Sequence, residues 1–166
     1  MKQITLSDMQ QQREAAANSP RLRAHRNFHP QLSDPVQRLA VAMEPGTYVR
    51  PHRHPHTFEL LLPLSGRFLV LNFDDQGYVT RRVILGEECA ALEMDAGTWH
   101  AVLSLDPGGI IFEVKHGGYR PVAAEDYVSL GRDVEAQVRA RAIHAHIHHR
   151  SFINGNKTVV FSASPG

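Results

Sequence analysis

The stretch Gly46-Thr47-Tyr48-Val49-Arg50-Pro51-His52-Arg53-His54-Pro55-His56-Thr57-Phe58-Glu59-Leu60-Leu61-Leu62-Pro63-Leu64-Ser65-Gly66 decides how this chain is read. Its apolar run Leu60–Leu64 reads as a buried strand. Ahead of it, His52 and His54 are two apart in an extended segment. Successive strand side chains alternate faces, so these imidazoles point one way and Arg53 the other. Glu59 has the wrong parity to join them along a continuous strand. Pro55 and Thr57 permit a bend, which resets the parity and lets a carboxylate meet the two imidazoles. Two or three His with one carboxylate suit a divalent ion such as Mn, Fe, Ni, Co or Zn.

Working outward, the texture from Val36 to Lys115 is one of short apolar runs cut by Gly, Pro and Asp turns. The runs are Leu39–Met43, Thr47–His52, Phe58–Leu62, Gly66–Phe73, Tyr78–Leu85, Cys89–Met94, His100–Leu105 and Ile110–Lys115. Such spacing predicts an all-β sandwich or barrel. Asp74-Asp75-Gln76-Gly77 and Asp106-Pro107-Gly108-Gly109 read as hairpin loops. No strand–helix alternation supports a parallel α/β sheet. At the N-terminus, Ser7 as N-cap with Gln10 opens a helix that Asn18-Ser19-Pro20 stops, with Leu6 and Met9 as its apolar face. After Gly118 the pattern turns helical over Ala123–Leu130 and Asp133–Ala145, and Thr158–Ser162 suggests a terminal strand. The expected organisation is a single domain: 1–35 N-terminal helix and basic segment, 36–118 β-barrel, 119–166 helical extension.

Composition bounds the function. The chain has 166 residues, 42% hydrophobic and 21% charged, which suits one folded domain. Eighteen basic against seventeen acidic residues leave a net charge of +1, which argues against a nucleic-acid partner. A single cysteine, Cys89, excludes a disulfide framework within the chain; it reads as a strand core residue. No run approaches the ~20 apolar residues of a membrane span, and the N-terminus turns polar at once, so a cytoplasmic protein with no membrane partner is expected.

Farther on stands Asp95-Ala96-Gly97-Thr98-Trp99-His100, where Gly97 makes a turn and His100 opens the next strand as a fourth ligand. Gly46-x5-His52-x-His54-x4-Glu59-x6-Gly66 resembles the first cupin motif at every position, and Gly97-x2-His100 resembles the core of the second. Asp95 and Ser104 depart from the usual proline and asparagine. The resemblance spans about residues 36–116. It implies a mainly β fold, the cupin double-stranded β-barrel of jelly-roll type, here with an N-terminal helix and C-terminal helices. It also implies one divalent metal (Fe, Mn, Zn or Ni) held by His52, His54, Glu59 and His100, and a homodimer.

A narrower likeness adds Arg23-x3-Asn27-Phe28-His29, Asp34-Pro35-Val36-Gln37-Arg38 and Phe112-Glu113-Val114-Lys115-x3-Tyr119. With Gly46–His54 and Gly97–His100, these resemble the WbuC family of cupin-fold metalloproteins, associated with bacterial surface-polysaccharide (O-antigen) gene clusters. That likeness implies action on a small sugar or nucleotide sugar, by isomerase- or epimerase-like chemistry. A non-enzymatic, metal-stabilised sugar- or anion-binding cupin and an iron-dependent dioxygenase are the alternatives.

Glu113 and Lys115 share a strand face and, with Tyr119, form the expected proton-transfer set; the bland reading is a rim salt bridge. Arg23, Asn27, His29 and Trp99 are the expected substrate-binding residues. The segment Arg21–His29 reads either as an arginine clamp over the barrel mouth or as a solvated basic linker or dimer contact, and Trp99 also suits packing on the opposite face from His100. His56 reads as a solvated loop histidine. His144, His146, His148 and His149 read as a solvated helix end that attracts metal adventitiously.

Overall fold

A computed structural model describes residues 1–128, together with the backbone of residues 151–154 and 157–160. One helix, α1 (Leu6–Ala17), precedes the strands β1 (Arg23–Asn27), β2 (Val36–Met43), β3 (Glu59–Ser65), β4 (Phe68–Phe73), β5 (Val79–Leu85), β6 (Leu92–Met94), β7 (Trp99–Ser104) and β8 (Gly109–His116). A 3-10 turn follows at Ala124–Asp126, then β9 (Ser151–Asn154) and β10 (Lys157–Val160). The strands form a five-stranded sheet, β1-β2-β8-β3-β6, a three-stranded sheet, β5-β4-β7, and the β9–β10 pair. All strand pairs are antiparallel.

Alternation explains the layers. Val41, Met43, Leu61, Met94 and Ile111 of the larger sheet meet Phe68, Val70 and Leu85 of the smaller in one buried cluster. The result is the cupin-type jelly roll, built as two facing sheets rather than one continuously hydrogen-bonded cylinder.

The other face of the larger sheet carries α1. Small residues there, Ala40 and Ala42, let Met9 and Ala16 approach closely. Docking is also polar: Gln12 Nε2 donates to Ala24 O (3.1 Å) and Ala40 O (2.9 Å), and Arg13 reaches Gly108 O (3.0 Å) and Ser65 Oγ (2.7 Å). Leu6, expected on the packed face, is 84% exposed. The helix also starts earlier than Ser7. Thr5 is the N-cap: its hydroxyl accepts from Asp8 N (3.1 Å) and Asp8 Oδ2 accepts from Thr5 N (2.8 Å), closing a capping box.

Four further expectations need correction. Arg21–His29 is not a linker, because Arg23–Asn27 pairs with β2 as a strand. Thr47–His52 is irregular except for a bridge at His52; Pro45 and Pro51 lack the N–H groups a ladder needs. The loop Asp106–Gly109 joins strands of different sheets and is not a hairpin, whereas Asp74–Gly77 is one, with Gly77 at φ 84°. Within Ala123–Leu130, the described part is a 3-10 turn and then extended backbone at Tyr127, bridged to His52. Asp133–Ala145 and the histidines His144, His146, His148 and His149 lie outside the described residues. Lys157–Val160 realises part of the expected terminal strand. Among the described residues no helix is long and apolar enough to cross a membrane.

Candidate metal centre

The bend that parity requires is present. His54 O accepts from Thr57 N (3.4 Å), turning the chain over Pro55 and His56, and β3 opens at Glu59. His54 O also accepts from Gly97 N (3.0 Å), where Gly97 takes φ 81°. That contact fixes the first histidine loop to the second. His52 and His100 then exchange backbone hydrogen bonds, His52 N to His100 O (3.0 Å) and His100 N to His52 O (2.8 Å). Metal-ligating atoms of His52, His54 and His100 all lie within 4.8 Å of one another.

Glu59 closes the group. Its Oε2 stands 2.9 Å from His100 Nε2 and 3.7 Å from His54 Nε2. The orientation of two of the rings is set from behind. His52 Nδ1 faces Arg50 O at 2.8 Å and His100 Nδ1 faces Thr98 O at 2.9 Å. A carbonyl only accepts, so each Nδ1 carries the proton and each Nε2 is the atom turned inward, the arrangement behind most ligating histidines. His54 Nε2 is buried without a hydrogen-bond partner, and the buried Glu59 Oε2 has the His100 ring beside it. Burying a polar atom unsatisfied is costly, and a divalent cation among these donors satisfies all of them at once. The donor set fits the ion.

Electrostatics agree. Burial is the main force that pushes His52 down to about 4 and His54 to about 3. Both imidazoles are therefore neutral, as ligands must be. Burial opposes charge on Glu59, but Lys115 and the His100 ring more than offset it and hold the carboxyl well below its usual range. Burial likewise opposes charge on His100, and the Glu59 carboxylate overcomes it, so that pKa lies above the ordinary value.

The expected acid–base residues sit beside this cluster. Register places Glu59 opposite Lys115 and Leu61 opposite Glu113; Glu59, Lys115 and Glu113 line the cavity, and Leu61 packs in the inter-sheet core. Lys115 Nζ bridges Glu59 Oε1 (3.3 Å) and Glu113 Oε2 (3.1 Å). Burial raises the pKa of Glu113; the charge on Lys115 pulls it down, and the neighbouring Glu59 carboxylate pushes it up again. Burial opposes the charge on Lys115, but the two carboxylates raise its pKa above the usual value.

A cavity of about 670 Å³ opens over the cluster, a size typical of small-molecule sites. Tyr119, 58% exposed, lines it, as do Arg23, Asn27 and His29. His29 is buried and accepts the Arg38 N–H at Nδ1 (3.0 Å). His56 also lines the cavity, outside the metal-ligating group. Trp99 does not line the cavity. It faces the opposite side from His100, where its Nε1 donates to Asp75 Oδ1 (2.9 Å), Arg53 covers its ring at 4.4 Å, and it packs with Leu69, Leu71 and Phe73. Cys89 packs against the inter-sheet core.

Two groups of lining residues had no individual role assigned from the sequence. Arg21 and His25 fall on the period-two series that includes Arg23 and Asn27, a signal the strand alternation carries. Tyr127, under Arg50 at 4.9 Å and 6.2 Å from the His52 ring, gave no such signal.

Fold and site together define a cupin-type protein with a candidate divalent-metal centre. A family model described as a domain of unknown function (DUF6016) matches residues 4–85, which include His52, His54 and Glu59 but not His100. No curated protein matches the sequence. Among solved structures, KdgF from Halomonas sp. is 17% identical with a TM-score of 0.47, covering 61% of this chain and 85% of its own. TT1209 from Thermus thermophilus is 18% identical with a TM-score of 0.49, covering 60% and 87%. An oxalate oxidase in complex with the substrate analogue glycolate is 16% identical with a TM-score of 0.49, covering 63% and 55%.

Proposed function

We propose that this chain is a metal-dependent cupin enzyme acting on a small sugar or nucleotide sugar, by isomerase- or epimerase-like chemistry, in surface-polysaccharide (O-antigen) biosynthesis. The metal half of this reading rests on one observation, the buried His54 Nε2, which has no hydrogen-bond partner, facing the Glu59 carboxylate beside His52 and His100. The polysaccharide half rests on the resemblance to the WbuC family.

His52, His54, Glu59 and His100 would hold the ion, which when bound supplies a Lewis acid for a carbonyl or hydroxyl oxygen of the substrate. Glu113 is the proton-transfer group: it lines the cavity beside Lys115, and burial raises its pKa above the ordinary carboxyl value. Lys115 keeps the two carboxylates from repelling each other and holds Glu113 Oε2 in place. Tyr119 presents its phenol at the rim, where it can donate to a sugar hydroxyl.

The test is metal content by plasma mass spectrometry on untagged protein, beside a His52→Ala/His54→Ala variant and a form lacking residues 144–149. One equivalent that disappears only in the double variant supports the reading, and iron as that equivalent directs assays to oxygen chemistry. Metal that is absent, or that follows the histidines at 144–149, rejects it.

A further inference from the structure

The wall of the cavity formed by β1 and the residues just before it is cationic, and its cations are unspent. Arg21, Arg23, His25 and Asn27 all line the cavity. The intervening β1 residues face the other way, Ala24 into the α1 cluster and Arg26 onto Asp8 at 2.8 Å. Among the described residues, neither Arg21 nor Arg23 has a carboxylate within ion-pair distance, although Arg26, Arg53, Arg67, Arg82 and Lys115 all do. Arg23 Nε is moreover buried with no hydrogen-bond partner. A buried, unpaired guanidinium nitrogen is a standing cost; an anion in the cavity would offset the charge through the other guanidinium nitrogens, since Nε itself is not reachable.

The backbone between the two arginines is also unusual. Leu22 holds φ 53°, a conformation that residues other than glycine seldom adopt. It is fixed there because Leu22 O accepts from Glu44 N (3.0 Å) and from the Thr47 hydroxyl, while its side chain lies over Gly46, where an added Cβ would come within 2.8 Å of Leu22 Cδ1. Strain that the surroundings enforce tends to mark functional positions. Here it lies between two guanidiniums that both line the cavity. Farther in, β1 registers against Met43, Val41 and Leu39 of β2, so the floor between the arginines and the metal cluster is apolar.

We propose that Arg21 and Arg23, supported by His25 and Asn27, form an oxyanion-binding wall that holds the carboxylate or phosphate of a small substrate while its hydroxyl-bearing end reaches His52, His54, Glu59 and His100. This rests on the lumen being the substrate site and narrows the substrate to an anionic sugar derivative. Planar guanidiniums suit both anions because each offers two parallel donors to two oxygens. His25, exposed on the cavity side of β1, completes the wall as a hydrogen-bonding group; partial desolvation, then Arg21 and Lys115, lowers its pKa.

The experiment is isothermal titration of the metal-loaded full chain with glucose, glucuronate, glucose 6-phosphate and inorganic phosphate, repeated for Arg21→Gln and for Arg21→Gln/Arg23→Gln. We expect at least one anionic sugar to bind and glucose to bind far more weakly. The double variant should weaken the anion by roughly 30-fold or more while metal stoichiometry stays the same. Glucuronate or glucose 6-phosphate as the tighter ligand identifies the anion. Arg21 is exposed, so Arg21→Gln tests the idea even if the double variant folds poorly; an unchanged affinity there overturns the proposal. So does glucose binding as tightly as its anionic relatives, or anion binding that depends on the metal and ignores both arginines. Metal content, measured on the same samples, reports separately on the metal reading.

Discussion

His54 Nε2 and Glu59 Oε2 stand 3.7 Å apart in the lumen, both buried; His54 Nε2 has no hydrogen-bond partner, and Glu59 Oε2 has the His100 ring 2.9 Å away. The turn at Pro55–His56 brings them together across a short stretch of chain. Two lone-pair atoms so placed do not stabilise a fold by themselves. They stabilise it when a cation lies between them.

Removing that carboxylate should therefore cost metal first. Glu59→Gln keeps the shape and a hydrogen-bonding oxygen but discards the only formal negative charge in the ligand set. Metal affinity, read by competition with a chelator, should fall by about 100-fold or more, beyond the usual effect of a supporting residue. Affinity within a factor of a few of wild type would show that the ion is held elsewhere.

The histidines predict an acid limit for the metal-free protein. His52 and His54 have folded pKa values of about 4 and about 3 against 6.5 when unfolded. Between those values the unfolded chain binds more protons, so stability rises with pH there. Their contribution is complete above about pH 6.5 and is lost as pH falls towards 4. His100 has the opposite sign: its raised pKa favours the fold at low pH and stops doing so as pH rises through its folded value. Chelator-treated protein should thus show its urea midpoint falling steeply below about pH 6.5, with a milder decline on the alkaline side. Metal should abolish the alkaline decline, because it replaces the His100 proton. A midpoint that stays flat from neutral pH down to about 4 would contradict the geometry.

Much of this site was legible because it depends on period and punctuation. The spacing of two put His52 and His54 in one group, although the segment is irregular and not the strand expected; Pro55 announced the bend, and Glu113 and Lys115 at spacing two in β8 had to share a face. What stayed hidden depends on pairing between distant segments. Nothing local to Ala123–Val128 says that Tyr127 will bridge to His52 in place of continuing a helix, since the partner lies far back along the chain. Arg21–Asn27 was left between a clamp over the barrel mouth and a solvated segment because charge suits both; the period-two placement of Arg23, His25 and Asn27 recorded a strand lining the cavity. Likewise, Asp106–Gly109 has hairpin chemistry, but a turn sequence does not reveal whether the strands it joins lie in one sheet or two.

The segment Asp126–Val128 straps the ligand loop. Arg53 N donates to Asp126 O (3.0 Å), Val128 N to Pro51 O (3.0 Å), and Arg53 Nε pairs with Asp126 Oδ1 (2.8 Å). Tyr127 lies beneath Arg50. Tyr127→Ala removes one cation–π contact and one ring contact, so a loss of about 1–2 kcal/mol in urea unfolding is expected. Metal should also leave faster, since His52 loses its cover. Unchanged metal release would confine the ring's role to packing.

Glycine substitutions separate strain from crowding. A Cβ on Gly97 meets nothing within 4 Å, so Gly97→Ala suffers only from its φ of 81°, about 1–2 kcal/mol. A Cβ on Gly86, at φ 94°, comes within 2.9 Å of Gly66 O and must also displace backbone. Thermal melts should rank wild type above Gly97→Ala and Gly97→Ala above Gly86→Ala. The reverse order of the two variants would mean that Gly97 supports the His54 loop through more than its backbone angle.

Lys115 and Glu113 distinguish an enzyme from a binder, but only one of them does so cleanly. Lys115→Met leaves two buried carboxylates facing each other without their cation, and breaking a buried ion pair costs about 3 kcal/mol or more. That variant reports on folding as much as on function. Glu113→Gln keeps the oxygen that Lys115 donates to, leaves the Glu59–Lys115 contact in place, and removes only the capacity to exchange a proton. In an enzyme, turnover should fall by roughly 100-fold or more while ligand affinity and metal content hold. In a binding module no turnover exists to lose, and the substitution should shift affinity or do nothing. Turnover at the wild-type rate in Glu113→Gln would remove this carboxylate from the chemistry and leave Tyr119 as the remaining donor, to be tested as Tyr119→Phe.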